Sequence, residues 1–524
     1  MRTLITSVFC LALSVTAFTQ TPDATIDVKH YSFSLTVNDK NDTLHSVADI
    51  SFRKLRGTAT ASFDLASVNN EGKGMHVLAV TADNKPLEFN HNKNKLQIKL
   101  NSTDTGTKTV RISYSGIPAD GLIIAKTKYG RRSFFADNWP DRAKNWLVCV
   151  DHPADKAAVD FFVQAPAHYQ VVANGTLVEE SNLDDNNKLT HYRETIPLPT
   201  KVMTLGIANF AVQYIDSLPN VLLSSWVYPE DRVKGFYDFE IAKDIISFFE
   251  RKIAPFPYKK LANVQSKTIF GGLENAGAIF YSENIINGRR SGEPTIAHEI
   301  AHQWFGDMAT EADFSHLWLS EGFASYLTMY YIEQKYGIDS AKKLLARDRQ
   351  QVLAFAAQKL RPIVDSTVST YMELLNPNSY QKASWVLHML RKELGDQTFW
   401  KGVQEYYKNF ASKNAITDDL RKVMEKVSGK NLQQFFYQWL FVAGQPELKI
   451  DWKYNPSKKA VTLFIEQQQE TPFQFAIDIR LVGASSKKHK LLVSLKKFTI
   501  EIPVPTAPTD IVIDEDVVLL YKRV

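Results

Sequence analysis

The chain is predicted to be a multidomain α+β protein with an N-terminal antiparallel β domain, a mostly helical middle domain and a C-terminal β-sandwich. Three observations carry this. Residues 21–205 alternate apolar and polar positions in short runs, such as Tyr31-Ser32-Phe33-Ser34-Leu35-Thr36-Val37 and Val110-Arg111-Ile112-Ser113-Tyr114, broken by Asn, Asp and Gly clusters. Period-two alternation marks half-buried strands. Residues 206–445 turn to helical spacing after a short strand region, and from residue 446 the strand pattern returns. With 524 residues, 44% of them apolar, the chain is long enough to build several cores.

In order along the chain, residues 1–20 read as a targeting segment: Arg2, an apolar run from Leu4 to Phe18, then polar Thr19-Gln20-Thr21-Pro22-Asp23. Export to a periplasm or to the medium is therefore expected. The run is too short to span a bilayer, and no later segment resembles a membrane helix. Cys10 follows Phe9, a poor setting for lipid attachment. Once the segment is removed Cys149 is the only cysteine, so no intramolecular disulfide can form. Helices are expected at 237–251, 295–307, 318–336, 380–394 and 417–427. Gly444-Gln445-Pro446 reads as a linker. Strands follow at 448–454, 460–467, 473–482, 489–495, 498–504 and 510–513. Net charge is only +5, and the densest basic run, Lys487-Lys488-His489-Lys490 with Lys496-Lys497, reads as a solvated hairpin. No nucleic-acid partner and no membrane span are expected.

The chemistry is concentrated at His298-Glu299-Ile300-Ala301-His302. Histidines four apart fall on one face of a helix, where their ring nitrogens can hold one metal ion. Glu299 then sits beside the metal, able to take a proton from water. Pro294 and Thr295 mark the helix start. Eighteen residues after His302, Glu321 opens a second helix with apolar spacing at Leu319, Phe323, Tyr326, Leu327, Tyr330 and Tyr331. Two imidazoles and one carboxylate suit zinc and leave a coordination position open. The alternative for the pentapeptide alone is a surface helix with two solvated histidines.

His298-Glu299-Ile300-Ala301-His302-Gln303-Trp304-Phe305-Gly306, the eighteen-residue spacer and the Trp318-Leu319-Ser320-Glu321-Gly322-Phe323-Ala324 block resemble the gluzincin aminopeptidases, the family of aminopeptidase N and leukotriene hydrolase. The resemblance implies a thermolysin-like catalytic domain, one Zn2+ held by His298, His302 and Glu321, Glu299 as general base, and peptides with a free N-terminus as substrates. Gly271-Gly272-Leu273-Glu274-Asn275 is similar to the family's Gly-x-Met-Glu-Asn exopeptidase motif, with Leu273 in place of Met. That implies a strand pairing with the substrate backbone and Glu274 binding its amino group, the glycines permitting close approach. Phe270, just ahead, is a candidate wall for the first side-chain pocket. Tyr380-Gln381-Lys382-Ala383-Ser384 resembles the family's Tyr-x-Lys-Gly-Ala segment, whose tyrosine donates to the oxyanion, with Ala383 where the family has Gly. Cys149-Val150-Asp151-His152-Pro153 and Ala173-Asn174-Gly175 resemble the family's N-terminal β domain.

Two features depart from that family. The position aligned with the β-domain residue that helps bind the substrate amine is Trp139, so either Asn138 or Asp137 substitutes from a shifted strand, or Glu274 holds the amine mainly alone. The long C-terminal helical domain of many relatives is not expected here. Two other functions remain compatible with the motifs: a non-catalytic scaffold of the same fold, and a zinc endopeptidase or epoxide hydrolase using the same site.

Overall fold

The computed structural model describes residues 25–215, 218–484 and 488–524. The targeting segment and Lys487 lie outside the described residues.

The N-terminal region forms an eight-stranded sheet whose centre is Lys156–Pro166, Ile26–Thr36 and Leu44–Lys54. Its pairing is not wholly antiparallel. Ile26–Thr36 runs parallel to Lys156–Pro166, with Phe33 opposite Phe161. Alternation along each strand could not reveal this, because it fixes which face is buried and not the direction of the neighbour. The alternation itself holds: Val28, Tyr31, Phe33 and Leu35 are buried. A four-stranded sheet containing Arg132–Ala136 and Leu205–Ala208, and a three-stranded sheet containing Thr60–Asp64, complete this part. Leu205–Ala208 straddles the expected boundary at 205/206 and pairs with strands on its N-terminal side.

A five-stranded mixed sheet follows, ordered Ala211–Ile215, Leu222–Val227, Lys260–Ser266, Ala278–Ser282 and Gly272–Leu273. The last is a short edge strand, antiparallel to its neighbour, with one side free of backbone partners in the sheet. The helices of eight residues or more among the described residues are α1 (Arg232–Phe239), α2 (Ala242–Lys252), α3 (Glu293–His302), α4 (Trp318–Tyr336), α5 (Ile338–Gln358), α6 (Ala383–Leu394), α7 (Asp396–Phe410) and α8 (Thr417–Ser428).

The helix expected at 237–251 is two helices, broken by a tight turn at Glu240–Ile241 whose i→i+3 bonds run from the amides of Lys243 and Asp244. The helix expected at 295–307 starts with Pro294 in its first turn and ends at His302. Gly306 there has φ +123°, which no helix admits. The helix expected from 380 begins at Ala383, because Asn378–Lys382 forms a π-helical turn. Helices α5 and α7 are not among the helices expected from the sequence.

The C-terminal region has two sheets, one with Glu447–Asn455, Ala460–Gln467 and Lys497–Pro503, the other with Phe475–Val482, Lys488–Val493 and Asp510–Ile513. Leu463, Ile465, Ile477 and Leu481 are buried in one apolar cluster, as a sandwich requires. That cluster continues through Ile300 to Phe33, so all three regions share packing. Lys488, in the basic run, pairs with Glu515 and Asp516 on the surface. Among the described residues no helix is long and apolar enough to cross a membrane, and Cys149 is free and buried.

Candidate active site

Helices α3 and α4 bring His298, His302 and Glu321 together. His298 Nε2 and His302 Nε2 are 3.0 Å apart, and each lies 3.2 Å from Glu321 Oε2. Four ligands around zinc, each about 2.0–2.2 Å from the ion, stand roughly 3.3 Å from one another. The three donor atoms therefore fit one zinc ion, and their types leave a fourth position for water or substrate. Electrostatics agree. Burial alone opposes charge on Glu321, but His302 and His298 hold its carboxyl well below the usual range. Burial lowers His298, whereas on His302 the pull of Glu321, Glu274 and Glu299 outweighs burial and raises the imidazolium to about 10. Glu321, Glu274 and Glu299 thus surround His302 with negative charge.

Supporting contacts explain residues whose roles the motif did not reveal. His302 Nδ1 lies 3.2 Å from the Phe305 carbonyl and 3.0 Å from Ser320 Oγ, which presents Nε2 to the metal position. A Cβ on Gly306 would stand 2.3 Å from Ser320 Oγ and 3.0 Å from His302 Nδ1, so glycine there is required by contact as well as by φ. Gln303 donates to the Glu274 carbonyl and to Asp307 and accepts from Gly277 N, pinning the Gly-Gly-Leu-Glu-Asn segment to α3. Asn174 donates to the carbonyls of Val202 and Ala276 and ties the same segment to the β domain. Beneath lies a buried ion pair, Lys201 with Glu311. A Cβ on Gly322 would meet the Ala383 Cβ at 2.6 Å, so the alanine at position 383 is accommodated by the glycine after Glu321.

A cleft of about 500 Å³ opens over the triad, within the size range of small-molecule sites. Phe270, Gly271, Gly272, Leu273, Glu274, Glu299 and Tyr380 line it, and Asn275 does not. Asn275 is buried beneath, its side-chain amide without a hydrogen-bond partner among the described residues. Glu274 is only 5% exposed, and its Oε1 likewise has no partner. Gly271 has open space where a Cβ would be, whereas Gly272 lies against the Glu299 side chain. Burial pushes the Glu299 carboxyl well above the usual range, Glu274 and Glu321 push the same way, and His302 opposes them. The Tyr380 ring stacks on His298 with centroids 6.0 Å apart, and burial raises its phenol strongly.

Neither Asn138 nor Asp137 reaches the cleft. Asn138 donates to the carbonyls of Thr200 and Met203 and accepts from Trp146 Nε1. Asp137 pairs with Arg142 and accepts from Thr268 Oγ1 and Ile269 N, bracing the approach to Phe270. Trp139 supplies the wall instead, edge-on to Phe270 at 6.2 Å.

Models of known families match in the same order as these regions, "Peptidase M1 N-terminal domain" over residues 27–202 and "Peptidase family M1 domain" over 237–439. A "Probable aminopeptidase 2" of Sulfurisphaera tokodaii is 26% identical over 391 residues, covering 71% of this chain and 49% of its own. A "Glutamyl aminopeptidase" of Sus scrofa is 28% identical, covering 60% and 35%. The chain thus spans about half the length, or less, of these curated relatives. Aminopeptidase A of Legionella pneumophila, solved with aspartic acid, shares the fold with TM-score 0.83 at 18% identity, over 95% of this chain and 60% of that one. A point mutant of an M1 zinc metallopeptidase from Deinococcus radiodurans has TM-score 0.68 at 20% identity, over 81% and 96%. Two adjoining family models on the β domain and on the domain bearing the triad, over a backbone that follows M1 structures, mean that the chain belongs to the M1 peptidase family.

Proposed function

We propose that the protein is a zinc-dependent aminopeptidase that hydrolyses the first peptide bond of substrates with a free N-terminus. The observation that carries this reading is Glu274: a buried carboxylate with an unpartnered oxygen, in the same cleft as the His298–His302–Glu321 triad and Glu299. A buried unpaired carboxylate is costly unless a cation comes to it, and a peptide's ammonium group is a cation of the right size. Zinc, when bound, supplies an acidified water and polarises the scissile carbonyl.

The residues then divide the work. Glu299 takes the proton of the attacking water and delivers it to the departing amine. Tyr380 donates to the oxygen on which negative charge develops. The free edge of Gly272–Leu273 offers backbone groups to an extended substrate, and Gly271 leaves it room. Glu274, by holding the ammonium, fixes the first peptide bond as the one that meets Glu299. Zinc-loaded protein should release the first residue from peptides and amino-acid anilides and lose this with a chelator. Release of internal fragments, or no turnover of any free-amine substrate, would sink the proposal. Export is proposed from the sequence of residues 1–20, and a mature protein beginning at residue 1 would refute it.

A further inference from the structure

The cleft continues past the triad, and its two ends differ in kind. Around Glu274 the wall is apolar: Trp139, Phe270, Leu273 and Leu375 belong to an aromatic-rich cluster shared with the β domain. The other end is formed by Pro294 and Thr295, one turn before His298, and by the α4–α5 hairpin, which contributes Thr328, Met329, Leu344, Arg347 and Asp348, so that apolar side chains there stand beside the cleft's one guanidinium among the described residues. Only Gly337 separates α4 from α5, so the helices fold back on one another and the first half of α5 lies beside the second half of α4. Thr328 is seven residues beyond Glu321 on α4, roughly 10 Å along the axis at about 1.5 Å per residue. Gln303, just past the C-terminal end of α3, is bonded to the Glu274 carbonyl, whereas Pro294 and Thr295 lie at the N-terminal end. The two walls therefore stand at opposite ends of the metal-ligand helix.

That polarity gives the substrate a direction. With the amine at Glu274 and the scissile carbonyl at the triad, the residues after the cleaved bond run toward Arg347. Its side chain is 63% exposed. Asp348 Oδ1 accepts from its Nε and Nη2 at 3.4 and 3.3 Å, long for charge-assisted hydrogen bonds. Nη1 has no hydrogen-bond partner among the described residues. The guanidinium is thus held loosely along one edge, with donors left over in a cleft whose other cationic positions are the metal ligands. The roughly 10 Å from Glu321 to Thr328 along α4 is a length that two or three extended residues at about 3.5 Å each cover.

We propose that Arg347 is a specificity-determining residue that binds a carboxylate on the leaving-group side of the substrate, within two residues of the cleaved bond. The carboxylate is either the free C-terminus of a di- or tripeptide or an acidic side chain, since a planar guanidinium recognises both in the same way. The proposal rests on the aminopeptidase reading, which supplies the substrate's direction.

The test compares kcat/KM of the zinc-loaded protein for alanyl di- and tripeptides as free acids and as C-terminal amides. A second arm compares alanyl-glutamate amide with alanyl-glutamine amide. Wild type should prefer the carboxylate member of at least one pair by about tenfold, mainly through KM. Arg347→Ala and Arg347→Gln should bring that ratio close to unity, and Arg347→Lys should retain part of it. Preference in the first arm identifies a terminal carboxylate, and in the second a side chain. Ratios near unity in wild type, or a preference that survives Arg347→Ala, overturn the role of Arg347 while leaving the aminopeptidase reading standing. No turnover of any free-amine substrate overturns both.

Discussion

Gly272 and Glu299 are in direct contact across the cleft: a Cβ built on Gly272 would lie 2.3 Å from Glu299 Oε1 and 2.5 Å from its Cδ. The edge strand and the metal-ligand helix thus approach so closely that the side chain of one residue fills the space where the other has none. Gly272 has no positive φ, and its constraint is contact alone.

Gly272→Ala should therefore fold, because only the flexible end of a side chain must move, but Glu299 would be displaced by about an ångström or more. A displacement of that size at a catalytic group costs on the order of a hundredfold in rate. Zinc content should stay at one per chain while kcat falls. A variant with normal kcat would show that Glu299 need not occupy this position.

The metal ligands were readable because one helix face carries two of them four residues apart and a second helix begins at the third. Spacing along a helix is information the sequence holds. Tyr380 was readable only through resemblance, since its position depends on the π-helical turn Asn378–Lys382, which no periodicity announces. Contacts between distant segments were not readable at all. Lys201 and Glu311 are 110 residues apart, and Gln303 bonds to a backbone carbonyl at Glu274. Helix α5 is not legible in the sequence because it buries only Ala341, Leu345 and Val352 along 21 residues, too sparse an apolar stripe to mark a helix. Helix α7 buries Phe399, Trp400, Val403, Tyr406 and Tyr407, residue types that favour strands. Asn138 and Asp137 were sensible candidates by position, but their polar atoms are spent on Thr200, Met203, Trp146, Thr268 and Arg142.

Ser320→Ala removes the hydroxyl 3.0 Å from His302 Nδ1 and leaves the Phe305 carbonyl as the sole remaining partner of that nitrogen among the described residues. Groups that orient a ligand imidazole are worth roughly ten- to a hundredfold in metal affinity. Competition against a chelator of known affinity should show a loss near the lower end, because one partner survives. With saturating zinc most of the activity should return. A loss of activity that excess zinc does not restore would place Ser320 in the chemistry itself.

Tyr380→Phe keeps the ring that stacks on His298 and removes only the hydroxyl. A donor aimed at charge that develops in the transition state affects kcat rather than substrate affinity. The expected loss is about a hundredfold or more in kcat with little change in KM. If the whole loss fell on KM, Tyr380 would be a residue for substrate binding.

Glu274→Ala separates an exopeptidase from any other hydrolase built on the same triad. The wild-type carboxylate is buried and its Oε1 unpaired, so a substrate ammonium reaching it forms a poorly solvated, charge-assisted contact. Truncating one partner of such a pair costs on the order of 2–5 kcal/mol, here as kcat/KM for free-amine substrates. The mutation also relieves the free protein of an unpaired buried carboxylate, so thermal stability in the absence of substrate should hold or rise, opposite in sign to the effect on catalysis. Peptides acetylated at the N-terminus carry no ammonium. They should be poor substrates for wild type and lose little more on mutation. Matched losses on free and acetylated peptides would mean that Glu274 shapes the cleft without reading the amine, and the position of the cleaved bond would then have to be set by the aromatic end at Trp139 and Phe270.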